Sequence, residues 1–66
     1  MKASHTILQR IPKEGLPFDF VVNTNNVIEV SPKGTNECWM KFWDGSEVRS
    51  CIIEGTVADN YTRLSS

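Results

Sequence analysis

A chain of 66 residues has room for one small domain. With 39% hydrophobic residues, 23% charged residues and a formal net charge of −1, it is neither a disordered polar tail nor a strongly basic nucleic-acid wrapper. No apolar run exceeds three residues and the opening Met1-Lys2-Ala3-Ser4-His5 has no leader-like stretch, so no membrane span or targeting segment is expected and the chain reads as cytoplasmic.

Turn-forming residues recur at short intervals: Pro12 to Pro17, Asn23 to Asn26, Ser31 to Asn36, Asp44-Gly45 and Gly55. Short strands between such signals predict a mainly β fold, a small antiparallel barrel or roll of SH3-like size with four or five strands. The strands are expected at 5–11, 18–22, 27–31, 37–42 and 46–53. Phe18, Phe20 and Val22 alternate with Asp19 and Val21, which gives that strand one mostly apolar face. Asn23-Thr24-Asn25-Asn26 suits a tight connection, because Asn tolerates left-handed backbone. Beyond Gly55 the period changes. Thr56 and Asp59 are spaced as a capping box, and Val57, Tyr61 and Leu64 fall on one face of a short C-terminal helix.

The Asp44-Gly45 turn admits two registers. A two-residue type I′ turn sets Cys38 opposite Cys51 and permits a disulfide. A three-residue bulged turn sets Lys41 opposite Glu47 and Trp39 opposite Arg49. Side-chain chemistry favours the bulged turn, since it gathers Cys38, Met40, Phe42, Val48 and Ile52 into one core stripe. Cys51 then lies on the other face and the thiols stay reduced, as in a cytosolic protein.

Chemistry-bearing residues are sparse. One His and two Cys fall short of a metal site, and no phosphate loop, nucleophile motif or Cys-x-x-Cys occurs, so neither an enzyme nor a cofactor is expected. His5 reads as a surface residue. Asn60-Tyr61-Thr62 matches the glycosylation sequon by chance. The bulged register collects Trp39, Lys41, Glu47, Arg49 and Ile53 on the non-core face, with Trp43 at the hairpin tip. Trp and Arg are the residues most enriched at interface hot spots. This face is therefore the candidate binding surface for protein: a second copy, or a larger partner that the chain regulates. Aromatics among cations also suit single-stranded nucleic acid, so an SH3- or Sm-like barrel binding through Trp39, Trp43, Lys41 and Arg49 is the alternative. Against that alternative stand the interspersed carboxylates and the net charge.

Asn26-Val27-Ile28-Glu29-Val30, Gly34-Thr35 and Phe42-x-Asp44-Gly45-Ser46-Glu47 together resemble the strand–strand–helix cores of small bacterial and phage β-roll proteins, among them a group of short flagellar proteins, over Asn23 to Leu64. The resemblance rests on hairpin grammar. Trp39, Trp43 and the N-terminal strand fall outside it, and no functional residue is carried over.

Overall fold

The computed structural model describes residues 4–65. Five antiparallel strands form one sheet: β1 (His5–Ile11), β2 (Phe18–Asn23), β3 (Val27–Gly34), β4 (Glu37–Trp43) and β5 (Val48–Glu54), followed by helix α1 (Val57–Leu64). Their order across the sheet is β2-β1-β5-β4-β3. The mainly β reading with a short C-terminal helix therefore holds. The sheet is not closed, and β2 and β3 are its two edges.

The sheet consists of two parts joined by a narrow seam. The β1–β2 hairpin pairs regularly from His5 with Asn23 to Arg10 with Phe18, and β3, β4 and β5 form a meander. Between them only Arg10 with Ile53 and Ile11 with Ile52 are paired. Such a short ladder lets one part fold over the other. Leu8 and Val22 from the hairpin meet Cys38, Met40, Phe42, Cys51 and Ile53 from the meander in a single core. Phe20 meets Phe42 edge to face, with ring centroids 5.4 Å apart, and the Arg10 guanidinium caps the Phe20 ring at 5.1 Å.

Helix α1 packs against β1 and β3, where the two parts of the sheet diverge. Its start follows the sequence. The Thr56 hydroxyl accepts from the Asp59 N–H, and the Asp59 carboxylate accepts from the Thr56 N–H. The inward face is Val57, Asn60 and Leu64, not Val57, Tyr61 and Leu64: Asn60 is fully buried and Tyr61 is exposed. Asn60 earns that position by its hydrogen bonds, since its Nδ2 donates to the carbonyls of Glu54 at 3.2 Å and Thr56 at 2.9 Å. These hold the β5–α1 turn, where Gly55 has φ +107° and a Cβ would come within 3.2 Å of Asn60 Nδ2. A buried Asn60 cannot accept a glycan, consistent with a chance sequon.

The β4–β5 connection corrects both registers. Trp43 pairs with Val48, Met40 with Cys51 and Cys38 with Ile53, so the loop is four residues, Asp44 to Glu47. Asp44 explains the length. Its carboxylate accepts from the N–H groups of Ser46 and Glu47, both at 2.8 Å, while its own N–H donates to the Glu47 carbonyl at 3.1 Å. Gly45, at φ +103°, supplies the left-handed residue. Cys51 and Ile53 consequently face the core, while Val48 and Ile52 face outward. The cysteines share the inner face but oppose Ile53 and Met40 rather than each other, and both are free.

Candidate interaction face

The outer face of the meander is built in rows that the ladder registers define. Ser31, Trp39, Ile52 and Ile11 lie side by side across β3, β4, β5 and β1. Glu29, Lys41 and Ser50 form the next row, and Trp43 stands beside Val48 at the hairpin end. Strand alternation sends all these side chains away from the core. Trp39, Trp43 and Val48 remain 44%, 41% and 51% exposed, large values for residues that bury readily elsewhere. With half-buried Ile52 they make an apolar ridge in two parts, Trp39 with Ile52 and Trp43 with Val48, divided by the Lys41–Ser50 row.

Shallow depressions flank Trp39. One, of about 230 Å³, is lined by Glu29, Ser31, Lys41 and Ser50; the other, of about 280 Å³, lies toward Ile11, Pro12 and Lys13. Both fall below the ~300–1,000 Å³ usual for small-molecule pockets.

The six residues expected at the binding face are divided by the observed register. Trp39, Lys41 and Trp43 share the outer face. Ile53 does not, because it is fully buried in the core. Arg49 lies opposite Phe42 on the inner side, at the exposed end of β5. Its guanidinium pairs with the Asp44 carboxylate and approaches Glu47 at 3.6 Å. It does not reach Trp39, whose ring is instead covered by the Lys33 ammonium at 5.6 Å. Glu47 belongs to the loop tip. Sequence reasoning missed Val48 and Ile52, which it had assigned to the core. The signal was there in the spacing of Val48, Ser50 and Ile52, but Cys51 and Ile53 give the opposite face an equal claim.

Electrostatically the face is close to balanced. Lys41 stands opposite Glu29, and Lys33 lies 3.5 Å from Glu37. At the tip, hydrogen bonds from the Glu47 N–H, the Arg49 side chain and the Ser46 N–H lower the Asp44 pKa from 3.8 to about 2. The same Asp44 contact raises the Arg49 pKa. These groups form a local clasp that orders the loop beside Trp43. Beneath the face, burial pushes the Cys51 thiol up against a smaller opposing pull from Arg10.

Among the described residues no three His, Cys, Asp or Glu side chains are grouped to hold a metal ion, and no helix is long and apolar enough to cross a membrane. Comparison with family models, curated proteins and solved structures finds no match, so the reading of this face rests on its own geometry.

Proposed function

We propose that the chain is a non-catalytic protein-interaction module, a roll of SH3-like size that regulates a larger partner by docking through its outer face. The observation that carries this is the partly exposed set Trp39, Trp43 and Val48, with half-buried Ile52, on the outer face of the β4–β5 hairpin. Exposed apolar patches rimmed by polar side chains mark protein contacts, and Trp is the residue most often found at their energetic centre. Glu29, Lys41 and Ser50 cross this ridge between the Trp39–Ile52 and Trp43–Val48 pairs and place polar groups beside each. Nucleic acid is the weaker reading. Lys33, Lys41 and Arg49 all face carboxylates, which removes the basic footprint that phosphate binding needs.

The test compares wild type with Trp39→Ala as immobilised bait in lysate of the native host, with and without nuclease. A protein retained by wild type, lost from Trp39→Ala and insensitive to nuclease supports docking through this face. Retention unchanged by the substitution overturns it. Tryptophan fluorescence quenched by oligonucleotides at low salt, with quenching lost as salt rises, would shift the reading to nucleic acid.

A further inference from the structure

The two edges of the sheet are guarded very differently. Edge strand β3 carries Pro32 and Lys33, two register irregularities, and helix α1 packed against it. The Gly55 N–H donates to the Asn36 carbonyl in phase with the β4–β5 ladder, so Cys38 spends its backbone groups on β5. Pro32, opposite Cys38, therefore presents its missing N–H to the free edge. Prolines, lysines and bulges are the usual means of blocking strand addition.

Edge strand β2, Phe18-Asp19-Phe20-Val21-Val22-Asn23, has none of these. It contains no proline, lysine or bulge, and its register with β1 is unbroken over all six residues. The Thr24 N–H donates to the Ser4 carbonyl at 2.9 Å, which sets the phase of that ladder. Phe18, Phe20 and Val22 direct their backbone groups to β1, while Asp19 and Val21 direct theirs outward together with the Asn23 N–H; the Asn23 carbonyl is taken by the 3-10 turn Thr24–Asn26 that it caps. On the outer face, Val21 and its cross-strand neighbour Ile7 are both 58% exposed.

From this asymmetry we infer that β2 is a self-association edge, and that its occupant is the β2 strand of a second copy, antiparallel about a two-fold axis at Val21. Charge and hydrogen bonding select this register. Centred on Val21, the pairing sets Asp19 opposite the second copy's Asn23, exchanges both bonds between the two Val21 residues and gives each Asn23 N–H the carbonyl of an Asp19. Centring on Asp19 sets two carboxylates face to face, which is destabilising. Centring on Phe20 sets each Asp19 carboxylate against the second copy's exposed Val21 and breaks up the apolar contact. The Val21 register also brings two copies of Val21 and Ile7 into one apolar cluster and joins two five-stranded sheets into one of ten. This surface is separate from the Trp39 ridge, so the two proposals stand or fall independently.

Analytical ultracentrifugation of the full chain over a concentration series tests it, with amide exchange as a second readout. The expected result is a reversible dimer in which the Val21 and Asn23 amides gain protection as concentration rises. Val21→Lys, on an exposed outward site, sets two ammonium groups together at the axis and is expected to be a folded monomer by circular dichroism. Asn23→Asp keeps a side-chain acceptor for the Asn25 N–H but places a carboxylate opposite Asp19 twice per dimer; about tenfold weaker association, recovering with salt, is expected. Trp39→Ala should dimerise as wild type does. A wild-type monomer throughout the series, or a dimer unaffected by Val21→Lys, overturns the proposal. So does a dimer abolished by Trp39→Ala, which would place self-association on the ridge instead.

Discussion

The two faces of the β4–β5 hairpin are both rich in large apolar side chains, yet they have opposite fates. Inward, Cys38, Met40, Phe42, Cys51 and Ile53 are buried; outward, Trp39, Trp43 and Val48 stay exposed and Ile52 is half covered. Composition does not separate them. What separates them is the cover: Leu8, Phe20 and Val22 arrive from the β1–β2 hairpin, Val57 and Leu64 from α1, and all of them reach only the inner face. An apolar face on a small sheet is thus buried or exposed according to whether another element folds back over it; among the described residues the inner face is covered and the outer one is left partly exposed.

The sharpest way to break this comparison is to truncate neighbouring residues of β4 that point to opposite sides. Met40→Ala should cost about 2–5 kcal/mol, since a fully buried side chain leaves a cavity. Trp39→Ala should cost less, about 1–2 kcal/mol despite deleting more atoms, because the residue is 44% exposed and its removal opens no closed cavity. Urea denaturation of both variants provides the measurement. Equal losses would mean that the outer face is covered in solution. Next in size is Asn60→Ala, expected to lose about 1–3 kcal/mol as the Glu54 and Thr56 carbonyls lose their donor. An Asn60→Asp variant, which lacks that amide donor, should be no more stable than the alanine.

How far the sequence discloses this comparison differs between its parts. Strand β1 and the Thr56–Asp59 cap were legible because local signals decide them: the turn-forming stretch from Pro12 that ends the strand, and a hydroxyl three residues before a carboxylate. The hairpin register was not. Placing Val48 inside and Cys51 outside rested on keeping Arg49 and Glu47 off the core face. That concern vanishes where β5 overhangs the core: Arg49 lies on the inner side of the sheet but beyond its covered part, tied to Asp44. Apolar residues alternate on both faces of β5, so parity alone cannot choose, and the Asp44 side chain settles the matter by closing a four-residue loop. Ile53 was misassigned as a contact residue for the same reason, whereas Trp39 and Lys41 lie on the expected face, and Trp43, expected at the hairpin tip, is the last residue of β4 beside Val48. Tyr61 was misplaced because helix periodicity favours its aromatic ring, while the turn at Gly55 needs the amide of Asn60.

A chemical probe distinguishes the faces without any substitution. Cys38 and Cys51 both lie inside, with Cys38 Sγ within 3.2 Å of the Gly55 carbonyl, and burial pushes the Cys51 thiol up. Alkylation of the native protein should therefore be slow at both sites, with rates that follow stability across the variants above, and two thiols should react at once in denaturant. Fast labelling of Cys51 alone under native conditions would support the bulged turn, which turns that residue outward, over the four-residue loop.

The smallest expected effect belongs to the loop that fixes the register. The Asp44 carboxyl is held near pKa 2 in the folded chain against an ordinary 3.8, chiefly by the Glu47 N–H, then by the Arg49 side chain and the Ser46 N–H. A depressed folded pKa means that its contribution is complete above the unfolded pKa. It drains away as pH falls from about 3.8 through about 2. Asp44 is solvent-exposed, so screening keeps the effect modest and salt should reduce the Arg49 share further. Asp44→Asn keeps an acceptor for the two N–H groups but does not titrate. Its stability relative to wild type should accordingly improve on acidification over that window, read from urea midpoints at successive pH values. Parallel pH profiles for the two proteins would mean that Asp44 does not clasp the loop, and the register that divides the two faces would lose its local cause.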